Sequence, residues 1–188
     1  MCQVRATAVP VLRRYFDGSY RLGAVQRVLA GLIYSDEGEQ LVTRIDEYQD
    51  SVRAFMEAGG QPVRNAGDPG IPARDDLLLG NRMLEEEVRE MLDAIDAMTD
   101  AQKAGDNVAA REALVEYADA LGDIVYVAIG RAVQAGIDLQ AVLEEIGRSN
   151  MSKIDWENNR PWVVLPDGKI GKDHHYRGPD LGAVMFGG

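Results

Sequence analysis

The stretch Leu84-Glu85-Glu86-Glu87-Val88-Arg89-Glu90-Met91-Leu92, and after it Glu116-Tyr117-Ala118-Asp119-Ala120-Leu121-Gly122-Asp123, decides how this chain is read. Both segments lack proline and repeat with a helical period. In the first, Leu84, Val88, Met91, Leu92 and Ile95 form one stripe, with Glu86, Glu87, Glu90 and Asp93 opposite. In the second, Glu116, Asp119 and Asp123 share a face, and Leu114, Ala118, Leu121 and Val125 make the other. Two amphipathic helices are thus predicted, each carrying a row of carboxylates. Carboxylates repel one another, so such rows either point into water or are neutralised by cations.

A solvated face is the ordinary fate of helical charge. Against it stands Ile124-Val125-Tyr126-Val127-Ala128-Ile129, apolar all the way round, in which Val127 continues the row of Asp119 and Asp123. That row is predicted to run into protein, where carboxylates must be paired or bound to metal, and these faces carry no matching set of Lys or Arg. A ferritin-like diiron site needs a Glu-x-x-His pair on two helices, whereas the only histidines are His174 and His175 near the C-terminus. Oxygen-only ligation suits Mg²⁺ or Mn²⁺, hard ions that bridge carboxylates to phosphates, and points to hydrolysis or transfer at phosphorus.

Working outward, Leu41, Ile45, Tyr48, Val52 and Phe55 predict a helix over 41–58, closed by Gly59-Gly60. A loop rich in Pro and Gly follows over 61–72, then a helix from Arg74 or Asp75 to about Met98 and a polar connection over 99–105. Asp106 or Asn107 caps the next helix, which stops at Gly136, and Asp138 caps a last one over 139–149. Trp162-Val163-Val164-Leu165, Pro166-Asp167-Gly168 and Lys169-Ile170 read as a small hairpin before an irregular tail. The expected architecture is an all-α four-helix bundle, with 1–40 an extension of no assigned role, 41–155 the helical core and 156–188 the hairpin and tail.

A length of 188 residues with 46% hydrophobic content fits one domain. The single cysteine, Cys2, excludes a disulfide framework and agrees with a reducing, cytoplasmic setting. No apolar run predicts a membrane span or a signal core. A net charge of -11 argues against nucleic acid as a partner, and a polyanionic ligand would need metal ions as intermediaries. Asn150 and Lys153, in Ser149-Asn150-Met151-Ser152-Lys153, could aim an amide and an ammonium at a phosphate, although a lysine near a helix C-terminus has a simpler explanation in the helix dipole.

Together these residues resemble the MazG-like superfamily of all-α nucleoside triphosphate pyrophosphohydrolases, whose hallmark is Glu-Glu-x-x-Glu on one helix and Glu-x-x-Asp on the next. Glu86-Glu87-Val88-Arg89-Glu90 fits the first half and Glu116-Tyr117-Ala118-Asp119 the second, with Asp123 an alternative or additional acid. The resemblance runs from about Tyr48 to Leu181 and includes a tail with Lys172, Tyr176, Pro179, Asp180 and Leu181. It implies cleavage of a nucleoside or deoxynucleoside triphosphate between the α and β phosphates, giving the monophosphate and pyrophosphate; phage-encoded relatives that act on purine deoxynucleotides put dGTP among the expected substrates. By the same resemblance Glu87, Glu90, Glu116 and Asp119 hold Mg²⁺ or Mn²⁺, and Glu86 binds a further ion or acts as general base. Asn150, Lys153 and Lys172 hold the triphosphate. Gln49 and Arg53 contact the base. The assembly is a homodimer or homotetramer. Two departures stand out: Phe55 is followed by Met56 where related chains often have His, and residues 1–40 have no counterpart. Competing expectations are a phosphoribosyl-ATP pyrophosphohydrolase and a non-catalytic helical interaction protein.

Overall fold

A computed structural model describes residues 36–187, with side chains from residue 45 onward. Its dominant feature is a long helical hairpin, α2 (Arg74–Ala104) and α3 (Asn107–Ala135), preceded by α1 (Asp36–Ala58). Gly105 ends α2 in the left-handed conformation, φ 70°, and Asp106 starts α3 by accepting hydrogen bonds from the backbone N–H groups of Val108 and Ala109, both at 3.0 Å. Helix α2 runs through the polar connection expected over 99–105. Thr99 bonds back to the Ile95 carbonyl at 2.9 Å and Lys103 pairs with Asp100 at 2.9 Å. The polarity there reports an exposed helix face, and the break waits for the first glycine.

Four alanines form the buried seam of the hairpin, Ala94 and Ala101 on α2 and Ala113 and Ala120 on α3. Each pair has heptad spacing, and side chains this small allow the axes to approach toward the low end of the usual ~8–10 Å. The larger residues expected to form the core stripes lie on the flanks. Val88, Leu92, Ile95, Leu114, Leu121 and Val125 are exposed, and only Leu84 and Met91 are half-buried. The apolar segment 124–129 is likewise less covered than its composition predicts: Ile129 is buried, Val127 half-buried, and Val125 and Tyr126 exposed. The alanine seam takes up the intramolecular contact, and among the described residues nothing covers the flanks.

Helix α1 begins at Asp36, earlier than expected, and packs on the C-terminal half of α3. Val52, Met56, Ile129 and Val133 make the compact core there, with Val63 and Leu139 against it. Residues 1–35, including Cys2, lie outside the described residues. The loop between α1 and α2 closes the end of α3. Backbone N–H groups of Arg64, Gly67 and Gly70 donate to the carbonyls of Val133, Gly136 and Ala135 at 3.0, 3.1 and 2.8 Å, which a helix terminus otherwise leaves unpaired. Gly136 needs to be glycine twice over: its φ is 68°, and a Cβ would lie 2.1 Å from the Asp68 carbonyl oxygen. Gly80 plays a similar part for Arg131, which donates to the Asp76 carbonyl at 2.8 Å and ties the start of α2 to α3.

Beyond Gly136 the chain turns into α4 (Leu139–Met151), capped by Asp138 through the Ala141 N–H at 3.0 Å and inclined 115° to α3. A two-residue antiparallel ladder follows, β1 (Ile154–Asp155) with β2 (Arg160–Pro161). The expected hairpin over 162–170 forms around one bridge, Val164 with Ile170, turned by Gly168 and flanked by hydrogen bonds from the Leu165 N–H to the Lys169 carbonyl and from the Gly171 N–H to the Val163 carbonyl, both at 2.8 Å. The tail, read as irregular, holds a short helix, α5 (Leu181–Phe186), capped by Asp180. The all-α class stands. No single helix among the described residues is long and apolar enough to cross a membrane.

Two glycine substitutions separate backbone strain from collision. Gly105→Ala, whose Cβ meets nothing within 4 Å, should cost about 1–2 kcal/mol from its left-handed backbone alone. Gly136→Ala adds the clash with the loop and should cost a further ~1–3 kcal/mol, read as the difference in denaturant midpoint between the two variants.

Candidate active site

The hairpin brings the two acidic rows face to face. Glu87 and Asp123 are equally far along the chain from Gly105, and Glu90 and Asp119 nearly so, so an antiparallel fold at that glycine sets each pair at one level. At the centre lies Glu87, half-buried, with its Oε2 buried and without a hydrogen-bond partner. Burial pushes its carboxyl above the usual range, and the charges of Glu90, Asp123, Glu86 and Asp119 push it further in that order. Asp123 therefore bears on Glu87 more strongly than Asp119 does. Glu86, Glu90, Asp119 and Asp123 are themselves exposed. Glu116, also exposed, is level with Ala94 on α2 and is not among the charges that act on Glu87.

An orphaned carboxylate oxygen among like charges tests what the group would accept. Unlike a protein cation, which would appear as an ion pair, a hard divalent ion fits an all-oxygen donor set of this kind. Glu87, Glu90, Asp119 and Asp123 are the residues placed to hold it, with Glu86 at their edge. Two clefts among the described residues lie elsewhere. One of about 430 Å³ is lined by Pro62, Val63, Arg64, Ile71, Pro72, Ala73, Asp76 and Gln134, and another of about 490 Å³ runs along Leu84, Glu85, Val88, Arg89 and Leu92. Neither includes Glu87 or Asp123, and among the described residues Glu86, Glu90, Asp119 and Asp123 form an exposed shelf.

The residues expected at the phosphates gather at the far end of α4. Lys153 Nζ bonds to Asn150 Oδ1 at 2.7 Å, and Lys153 and Lys172 stand 5.6 and 4.6 Å from the centre of the Tyr176 ring. The Tyr176 hydroxyl shares a 3.3 Å hydrogen bond with buried Ser149, and that bond, with the charges of Lys172 and Lys153 behind it, lowers the phenol's pKa. Two anchors set this arrangement. Glu145 pairs with Arg148 at 2.6 Å and accepts the Asp180 N–H at 2.7 Å, which holds its carboxyl down at about 2; Arg148 also donates to the Gly178 carbonyl at 2.9 Å. The Arg177 N–H donates to Ser152 Oγ at 2.8 Å. Tyr176 and Ser149 are the members that spacing alone did not mark as site residues, since only the return of the tail onto α4 unites them with the lysines.

The helix-one residues have other work. Gln49 is buried, donating to the Ile137 carbonyl at 2.8 Å and accepting the Leu139 N–H at 3.2 Å, so both ends of its amide hold the turn between α3 and α4. Arg53 donates to the Arg64 carbonyl.

Residues 66–150 match the family model of phosphoribosyl-ATP pyrophosphohydrolase. The matched segment holds the whole α2/α3 hairpin, every acid of the cluster and nearly all of α4, and the chain is similar to that family over this helical core. The match supports hydrolysis of a pyrophosphate linkage in a nucleotide. Asn150 is its last residue, and Lys153, Lys172, Gln49 and Arg53 fall outside it. Comparison with curated proteins finds no match.

The raised carboxyl of Glu87 has a measurable consequence. A carboxyl whose pKa is higher folded than unfolded contributes stability that is present at low pH and lost as pH rises through the folded value. Without divalent ions, chemical denaturation should therefore show stability falling as pH rises above the ordinary glutamate value of 4.5, and Glu87→Gln should flatten that slope. The opposite contribution of Glu145, lost as pH falls from 4.5 toward about 2, lies below this window and leaves it readable.

Proposed function

We propose that this chain is a divalent-metal-dependent pyrophosphohydrolase that cleaves a nucleoside or deoxynucleoside triphosphate, with dGTP the first substrate to test, between the α and β phosphates. The products are the monophosphate and pyrophosphate. The observation that carries this reading is the buried, unpartnered Glu87 oxygen inside a ring of carboxylates, in a segment matching a pyrophosphohydrolase family. Glu87, Glu90, Asp119 and Asp123 hold Mg²⁺ or Mn²⁺, with Glu116 a turn away on the same face. A bound ion of this kind supplies charge neutralisation for the phosphates and raises the acidity of water. Glu86, exposed at the rim, takes the proton of the attacking water as general base. Asn150, Lys153 and Lys172 bind the outer phosphates, and the Tyr176 hydroxyl gives them a fourth donor. Gln49 and Arg53 support the scaffold and leave recognition of the base to other groups.

A second reading keeps the chemistry and changes the substrate to phosphoribosyl-ATP, which the name of the matched family favours. The triphosphate reading draws on what lies beyond the matched residues, since the tail lysines and Tyr176 are not part of that match.

The assembly is a homodimer or homotetramer. Leu92, Leu114 and Val125 are each more than half exposed on a hairpin whose acidic shelf no described residue covers, and a second copy packed on these flanks would bury them and close the shelf.

Pyrophosphate release from the four dNTPs, the four NTPs and phosphoribosyl-ATP, with Mg²⁺ present, tests the proposal. Turnover of a triphosphate at least tenfold better than phosphoribosyl-ATP is expected, and the reverse order establishes the second reading. Glu90→Gln and Asp123→Asn should each lower kcat by about 10²–10³, the scale of losing one preorganised electrostatic group, with far-ultraviolet circular dichroism unchanged. Light scattering should give a mass of two or four chains, and Leu92→Glu with Val125→Glu should reduce it to one.

A further inference from the structure

The tail contains a second constellation of metal-ligating atoms, of different chemistry from the acidic shelf. Asp173 Oδ2 lies 2.8 Å from His175 Nδ1 and 3.5 Å from His174 Nδ1, and the three donor atoms all fall within 4.8 Å of one another. A single proton can link the carboxylate oxygen to one imidazole at a time. Two imidazole nitrogens and a carboxylate oxygen brought this close can share one divalent cation through their lone pairs.

The surroundings hold the set in place. Asp173 Oδ1 accepts the His175 N–H at 3.0 Å, which closes the turn. Arg177 donates to the carbonyls of His174 and His175 at 3.1 and 3.2 Å, securing the backbone away from the donor atoms. Trp162 stacks on the His175 ring at 3.9 Å with 10° between planes, which fixes that ring's orientation. His174, with 83% of its side chain exposed, leaves the remaining coordination positions open to water.

We infer that Asp173, His174 and His175 form a surface site for a divalent transition metal, of which Zn²⁺ is the ion to test. Two imidazole nitrogens and one carboxylate oxygen are borderline ligands that select zinc or nickel over Mg²⁺, whereas the all-oxygen shelf on α2 and α3 selects the harder ion. Zinc here would fasten the segment that carries Lys172 and Tyr176. The inference stands independently of the hydrolytic reading, because no residue of the acidic shelf takes part in it.

The test is zinc titration of the untagged full chain against a chromophoric chelator, in excess Mg²⁺ to occupy the shelf. One zinc per chain is expected. His175→Ala and Asp173→Asn should weaken binding by more than the ~10- to 100-fold that loss of an outer-shell partner costs, while Glu90→Gln leaves it unchanged. His174→Ala, at an exposed position whose loss does not disturb Trp162, should also weaken it and covers the case in which the other variants misfold. As a second readout, Ni²⁺ should quench tryptophan emission in the parent chain and leave Trp162→Phe largely unquenched. Absence of zinc binding in the parent chain overturns the site, as does undiminished affinity in the His174→Ala, His175→Ala double variant.

Discussion

Mutual repulsion among carboxylates is the constraint on which this structure turns. An alanine seam draws α2 and α3 together, and the closeness it permits sets Glu87 against Asp123 and Glu90 beside Asp119. Larger seam residues would hold the rows farther apart and relax the conflict. Instead one carboxylate oxygen is taken out of water with no donor to meet it. A fold tolerates such an arrangement when binding of a cation offsets it, as the proposed function requires.

The rest of the chain steadies that hairpin at its open end. Carbonyls at the end of α3 are met by the amides of the loop rich in proline and glycine, and Gln49 fixes the turn that redirects the chain into α4. From α4 the Glu145–Arg148 pair and Ser152 hold the tail, whose lysines then crowd one tyrosine. The cationic group and the acidic group are thus set by separate anchors on one continuous framework. Under the proposed function a nucleotide would present phosphates to the first directly and to the second through metal, which would reconcile a polyanionic substrate with a chain of net charge -11.

Local signals were legible in the sequence wherever one residue makes the decision. Asp106, Asp138 and Gly136 act as caps or stops because their side chains, or lack of one, settle backbone hydrogen bonding within a single turn. The acidic faces could be read from spacing, and so could the all-α class. Periodicity failed over the seam, because alanine is weakly hydrophobic and the eye follows Leu92 and Val125, which mark the outer flanks. It also ended α2 too early, since Thr99–Ala104 is polar yet wholly competent as helix. Gln49 looked like a free recognition group because nothing in its neighbours along the chain reveals that Ile137 and Leu139 return to it. Tyr176 and the Asp173-His174-His175 turn gain meaning only from tertiary contacts with Ser149, Lys153 and Trp162.

Anomalous diffraction from crystals grown with Mn²⁺ tests the central claim most directly. The account requires a manganese peak between α2 and α3, at about 2.1–2.2 Å from oxygens of Glu87 and at least two of Glu90, Asp119 and Asp123, distances usual for a hard divalent ion of this size. No peak at that position at saturating Mn²⁺, with the carboxylates turned apart into bulk water, would contradict it.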